Sequence, residues 1–412
     1  MTHLRRGFCL DKRKAGIKEA STAGKPQMLG EMNKILILEL LRNKGALSRA
    51  QITRRLDLSF PSVSTNIRDL LEANLVVEIG TGENMHGRKS TLLQYNNKRG
   101  FVIGVNMGRT NTSMMLTDLA GDIIARRSTE PYAAKNAIQL WDTVITEIND
   151  LLAGAALIPN DLLCIAVGIP GIIDANRGVV RLAPFIEGWE SVEPFAIMQE
   201  KFQAPILIEN NINLGAIGEK WKGAATGYSN IFYFDFGVGI GSAVILNDVL
   251  HFGANGAAGE ISYSVPNAEK IRRKYSDEGL LEQLIEKFYR KVPDAEKSMT
   301  ALFELCDAGD KDAEKAIENI LRYCATVIIN TICVVDPEII IVTGGAGRSL
   351  MNRHQQDLLD MIEKHVPYPP ILATSNLGKD ANLYGAIAIA LQYVHNHLVL
   401  RVNKQRGMSD GY

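Results

Sequence analysis

The sequence predicts an α/β chain in which a small winged helix-turn-helix precedes a larger body of two similar lobes. Three observations carry this reading: capped helical periodicity in a basic front, a hairpin signature behind it, and a strand–glycine turn–strand unit used twice afterwards. At 412 residues the chain exceeds one average domain. With 46% hydrophobic and 22% charged residues, it has the composition of a globular protein with a sizeable core.

Charge is unevenly spread. Residues 1–97 hold 16 Lys and Arg against 9 Asp and Glu, and the rest holds 29 against 37. Only the front is therefore expected to meet a polyanion. The most apolar stretch, 325–342, is interrupted by Asn330, Thr331, Asp336 and Pro337, so no membrane span is expected. The opening MTHLRRGFCLDKRK is basic without an apolar run, unlike a secretory signal. Cys9, Cys164, Cys306, Cys324 and Cys333 are scattered with no C-x-x-C pair. That argues against a zinc ribbon or disulfide framework and fits a reducing cytoplasm.

Taken in order, residues 1–29 read as a flexible basic tail and 30–97 as the helix-turn-helix unit. Ile35, Leu36, Leu38, Leu40 and Leu41 form the apolar side of a first helix closed by Gly45. In LSRAQITRRLDLS, Ser48 is an N-cap and Gln51 completes a capping box, with Ile52 and Leu56 inward. Ser59 caps a third helix, Pro61 sits in its first turn, and Val63, Ile67, Leu70 and Leu71 face the core. The other face shows Ser62, Thr65, Asn66 and Asp69. Two short helices joined by a tight turn read as a helix-turn-helix. LVVEIGTGENMHGRKSTLLQYN then reads as a hairpin wing with Arg88 and Lys89 near its tip. Operator DNA is the expected partner, through Ser48, Arg49, Ser59, Ser62, Thr65, Asn66, Arg68, Arg88 and Lys89.

After Lys98-Arg99 the chain turns to βα alternation. GVNMGRTNTSMMLTDLAGDII and YFDFGVGIGSAVILNDVLHFG share one pattern. Asn106-x-Gly108 matches Asp235-x-Gly237, and Asp118 matches Asn247, each at an offset of 129. One unit used twice implies two similar lobes with a cleft between them. The expected division is lobe I at about 98–205 plus 378–396 and lobe II at about 206–377, within a body spanning 98–412. IENNIN, residues 208–213, follows a strand-like run and opens a helix. Its amides and Glu209 therefore crowd the carboxyl end of a buried strand, where open α/β sheets hold ligands. DPEIIIVTGGAG, 336–347, delivers glycines to a turn suited to a helix N-terminus.

These motifs, in this order over about residues 25–396, resemble the ROK family, and the helix-turn-helix in front resembles its transcriptional branch. The resemblance implies an actin-like, two-lobed ATPase/sugar-kinase fold that forms a homodimer or dimer of dimers. It places the family's Glu-Asn-Asp-x-Asn segment on Glu209, Asn210, Asn211, Ile212 and Asn213, so the catalytic Asp is Asn211. Its Gly-Glu-Ile-Gly-His segment falls on Gly259 to Tyr263, keeping the sugar-binding Glu260 and replacing a zinc-ligating His by Tyr263. The Cys cluster that normally follows is missing, while Glu282 keeps a sugar-contacting position. Asn106 and Arg109 depart from the first phosphate loop, and Phe185 replaces an Asn expected to contact sugar.

An amide has no accessible basic pKa, so Asn211 cannot take a proton from a hydroxyl, a loss of about 10²–10⁴-fold. The expectation is a transcriptional repressor sensing a sugar or sugar phosphate through Gly171, Asn210, Asn211, Glu260, Tyr263 and Glu282, with no catalysis, metal or cofactor. An active sugar kinase fused to a DNA-binding domain, and a constitutive DNA binder with a vestigial cleft, stay open at this point.

Overall fold

The structure, a computed structural model, describes residues 26–82, 90–108, 111–129, 136–174, 179–181, 188–189, 192–237, 239–265, 279–290, 292 and 298–406. Helix α1 (Pro26–Lys44) starts inside the segment expected to be a tail. Proline is preorganised for a first helical position, and the single Gly30 costs too little to break the helix. Gly45, at φ +74°, closes it in the left-handed region. Its inward stripe is Lys34, Ile37, Leu38 and Leu41, and Leu36, expected inside, is exposed. A buried cation hides the true phase: Lys34 Nζ pairs with Asp69 at 2.8 Å, both side chains 4% exposed.

Strand β1 (Leu47–Ser48) leads into α2 (Arg49–Leu56), which opens on the Ser48–Gln51 capping box and ends at Asp57 in the left-handed region. Ser59 caps α3 (Phe60–Glu72), which buries Val63, Ile67 and Leu70, with Leu71 half-buried. β2 (Val76–Gly82) and β3 (Ser90–Tyr95) pair antiparallel, and β1 adds to β3 as a third strand. This is the winged helix-turn-helix. Arg88 and Lys89, expected at the wing tip, lie outside the described residues.

The body opens with β4 (Phe101–Met107), β5 (Thr112–Asp118) and β6 (Ile123–Thr129), an antiparallel meander. α4 (Ala137–Gly154) crosses to β7 (Leu162–Ile169), parallel to β4. The short pair β8 (Ile172–Asp174) and β9 (Val179–Arg181), then α5 (Pro194–Lys201), lead to β10 (Ile206–Asn210) and α6 (Asn211–Lys222). The second meander is β11 (Ile231–Phe236), β12 (Ile240–Leu246) and β13 (Val249–Leu250). Helices α7 (Leu280–Arg290), α8 (Met299–Asp307) and α9 (Lys311–Val335) precede β14 (Ile339–Thr343). α10 (Gly345–Glu363), β15 (Ile371–Thr374) and α11 (Ala381–Arg406) are the last described elements.

The two five-stranded sheets run β10-β7-β4-β5-β6 and β15-β14-β11-β12-β13. They are the same topology twice, with Asn106 and Asp235 at matching places. The lobe division expected before residue 206 is corrected: Ile206 to Asn210 pair with Ile165 to Ile169, so β10 belongs to the first sheet. A parallel edge strand is joined to its sheet by long-range pairing that local pattern does not reveal. α6 then serves both lobes, with Leu214 in the first lobe's inner core and Ala216 against Ile231, Tyr233 and Ala243 of the second sheet. α9 is long and apolar enough to cross a membrane by composition, and Ile317, Ile320, Cys324 and Ile328 bury that face in the second lobe's core. The helix-turn-helix does not have a core of its own: Ile37, Leu41, Ile67 and Tyr95 join Val102, Leu391 and Val394 in one cluster.

Candidate functional site

On the candidate DNA face, the residues singled out divide into exposed and consumed. Ser48 is 2% exposed; its hydroxyl accepts from Gln51 N and its own N–H donates to Gln51 Oε1 at 2.8 Å. Asn66, 6% exposed, donates through Nδ2 to Ser62 O at 2.9 Å. Both were expected near DNA and both are committed to the fold, as is Asp69. A polar residue on the outer face by spacing alone is drawn inward here because a partner waits for it. Ser59 is exposed but its hydroxyl caps α3, and half-buried Ser62 accepts from Asn33 Nδ2 at 3.3 Å. Arg49 turns to Glu78 of β2 at 3.3 Å. Thr65 and Arg68 stand exposed on α3, joined by Arg54 and Arg55 at the end of α2. Those two arginines had been overlooked, although a basic doublet in the last turn of the preceding helix was visible in the sequence.

A cleft of about 840 Å³ opens between the two sheets and is lined from both. At its floor β10 hands over to α6. Asn210 is the N-cap: Oδ1 accepts from Ile212 N at 2.7 Å and Asn213 N at 3.3 Å, and Nδ2 donates to Gly171 O at 2.8 Å. It is thus largely framework, tying α6 to the loop after β7, where Gly171 adopts φ +109°. Glu209 accepts from Asn210 N and Asn213 Nδ2, and burial pushes its carboxyl above the ordinary carboxylate range. Asn211, first residue of α6, is half-buried and lines the cleft, and its side-chain amide makes no hydrogen bond among the described residues.

The opposite wall comes from the second lobe. Gly259 sits at φ +90°, and a Cβ there would lie 2.3 Å from Ser242 O. Only glycine permits that approach. Its carbonyl accepts from Ser242 N at 3.2 Å and Ser242 Oγ at 2.7 Å, which fastens the loop to β12 and turns the following Glu260 to the cleft. Tyr263 is half-buried in the same wall. Glu282 falls in α7, but its side chain lies outside the described residues, as do Arg109, Phe185 and residues 266–278. Among the described residues no group of three or more His, Cys, Asp or Glu is placed to hold a metal.

Above the floor, Asn106 of β4 is 8% exposed and accepts from Asn382 Nδ2 at 3.3 Å. The glycine turn after β14 meets the expectation of a helix N-terminus: Gly344, at φ +79°, starts α10, and Arg348 one turn later lines the cleft. Arg348, Lys379 and Asn382 were not foreseen in the cleft. Lys379 comes from the turn before α11 and Asn382 from its first turn, and their place depends on contacts from distant parts of the chain. Buried Glu219 holds the entry to α11, accepting from Leu377 N at 3.1 Å, Asn376 N at 3.4 Å and the Ser375 hydroxyl.

Comparison with known proteins agrees with this geometry. Residues 102–393 match the ROK family and residues 33–77 a winged helix-turn-helix DNA-binding domain. The xylose repressor of Bacillus spizizenii is 31% identical over 378 residues, covering 87% of this chain and 94% of that protein. The N-acetylglucosamine repressor of Escherichia coli O157:H7 is 23% identical over 78% of this chain and 82% of its own length. The crystal structure of a ROK family transcriptional regulator, a homologue of the Escherichia coli MLC protein, superposes with TM-score 0.73 at 20% identity, over 91% of this chain and 98% of that one. With this match across most of its length, the chain belongs to the ROK family, carrying a winged helix-turn-helix DNA-binding domain in front of its ROK domain.

Proposed function

We infer that this chain is a cytoplasmic DNA-binding repressor of carbohydrate-utilisation genes whose ROK cleft senses a sugar and does not phosphorylate it. The observation that carries the reading is the Asn211 amide, which makes no side-chain hydrogen bond among the described residues and lines the same cleft as Glu260 in a chain led by a winged helix-turn-helix. An amide donates and accepts while a carboxylate accepts, so the pair can read a pattern of hydroxyls. Asn210 holds the start of α6, and with it Asn211, in place, and Gly171, Tyr263 and Glu282 complete the proposed lining. Asn211 cannot serve as general base, and Asn106 lacks the carboxylate expected of a magnesium partner. Thr65, Arg68, Arg54 and Arg55, with Arg88 and Lys89 of the wing, would meet operator DNA as a homodimer or dimer of dimers on a pseudo-palindromic site.

The relatives named xylose repressors make D-xylose the first sugar to test. Calorimetry with D-xylose, D-glucose, N-acetylglucosamine and their phosphates should give saturable binding for at least one, abolished by Glu260→Ala with duplex-DNA binding intact. Absence of binding by all of them sinks the sensing reading. With ATP and Mg²⁺ added, sugar-dependent ADP release above about 1 s⁻¹, an ordinary enzymatic rate, would establish the kinase instead.

A further inference from the structure

α6 and α11 pack with their backbones in contact. A Cβ on Gly218 would lie 2.0 Å from Ala381 O, and one on Gly385 would lie 1.8 Å from Leu214 O. Helices this close have no side-chain layer between them in which to slide, so they move as one body. Both start at the cleft: Asn211 opens α6, and near the start of α11 Asn382 bonds to Asn106. Thirteen residues further along α11, about 20 Å at the helical rise, the helix reaches the DNA-binding unit. There Leu391 and Val394 enter the core shared with Ile37, Leu41 and Tyr95. His395 sits between two elements of that unit. Arg42 Nη1 of α1 donates to His395 Nδ1 at 2.8 Å, and Tyr95 Oη of β3 lies 2.7 Å from Nε2. Because a guanidinium only donates, Nδ1 must accept, so Nε2 carries the proton and Tyr95 accepts it. The rings of Tyr95 and His395 also meet edge to face, with centroids 5.7 Å apart.

We propose that α6 and α11 form a rigid lever from the cleft to the DNA-binding unit, and that Arg42, Tyr95 and His395 are the positioning residues that make the unit follow α11. The proposal rests on the sugar-sensing reading above. A second attachment, Asn97 Nδ2 to Asp118 Oδ2 at 2.6 Å with Leu119 N to Asn97 O at 3.0 Å, holds only the connecting segment. Asp118, prominent in the repeated motif, therefore anchors the linker, while the orientation of the unit is set at His395. A ligand that shifts α6 shifts α11 with it, and the joint turns that shift into a new orientation of α1 and β3.

Hydrogen exchange read by mass spectrometry tests this on the full chain, in wild type, Tyr95→Phe, Arg42→Ala and Arg42→Lys. D-xylose, D-glucose, N-acetylglucosamine and their phosphates are added in turn. In wild type, a sugar that changes exchange at residues 210–214 also changes it at 36–44 and 90–95. In Tyr95→Phe and Arg42→Ala the change at 210–214 persists and the one at 36–44 and 90–95 falls at least threefold, while Arg42→Lys restores part of it. An unaltered distal response in both variants overturns the lever. Without sugar, Tyr95→Phe should speed exchange at 36–44 several-fold, and unchanged rates there overturn the joint whatever binds the cleft. No response at 210–214 to any of these compounds overturns the sensing reading, and the lever as a sugar relay with it.

Discussion

Burial, with the Arg42 cation beside it, pushes the His395 imidazole down to about 4, and burial raises the neighbouring Tyr95 phenol, which keeps its proton throughout. Arg42, Tyr95, the Leu119 carbonyl and, behind Tyr95, Asp118 are the polar groups around this ring. In the unfolded chain the same imidazole titrates near its ordinary value of about 6.5. As pH falls, the unfolded state therefore takes up the proton first. The neutral His395 contributes stability that is fully present above about 6.5 and is lost as pH falls towards about 4. The complete loss is on the order of 3 kcal/mol, of which about 2 is gone by pH 5. Urea unfolding at pH 7 and pH 5 should show a drop for wild type that exceeds the drop for His395→Phe by about that amount. Equal drops in the two proteins would mean that His395 is not held neutral by the fold. Asn211 makes a complementary point about residues. Its inability to act as a base was legible from its chemistry alone, but Asn210's commitment to capping α6 and holding Gly171 needed three-dimensional partners.

At the scale of elements, what could be read locally was read well. The Ser48–Gln51 box, the Ser59 cap and the Gly45 stop depend on residues three or four apart, and all three are present. Where a distant partner decided the outcome, pattern reading failed. Local pattern misplaces the phase of α1 because Lys34 sits on the buried stripe, paired with Asp69 of α3. The boundary expected before residue 206 misses β10, because its pairing with β7 leaves no local trace. The contact of α6 with α11 was equally hidden, since a glycine inside a helix advertises nothing until its neighbour is known. Here the glycines are required. Gly385→Ala must push a methyl group into the Leu214 carbonyl and should destabilise the protein by about 1–3 kcal/mol, the usual range for overpacking. Gly30→Ala on α1, where a Cβ meets nothing within 4 Å, should be neutral or stabilising by up to about 1 kcal/mol. Paired denaturant curves decide it: similar effects at both positions would show that helix propensity, and not the backbone contact, governs Gly385.

Across the whole molecule the duplication seen in sequence takes the form of two sheets of identical strand order, and the DNA-binding unit packs directly against the body. Residues of α1, α3 and β3 share one apolar cluster with β4 and α11, so apolar packing runs continuously from one part into the other. Opening the DNA-binding unit alone would expose Leu391 and Val394 on α11 as well as its own Ile37 and Leu41, and would break the Arg42–His395–Tyr95 contacts. Each fully buried aliphatic side chain is worth about 1.5–3 kcal/mol of transfer free energy. Independent opening is therefore costly, and the unit and the first lobe should form one cooperative block. Native-state hydrogen exchange in rising urea measures this directly. The buried amides of α3 and those of β4 and β7 should converge on a common opening reaction, their free energies agreeing within about 1 kcal/mol, well inside the spread seen for independent units. If α3 instead opens several kcal/mol below β4, the DNA-binding unit folds on its own, and a signal from the cleft would have to reach it through the tether at Asn97 alone.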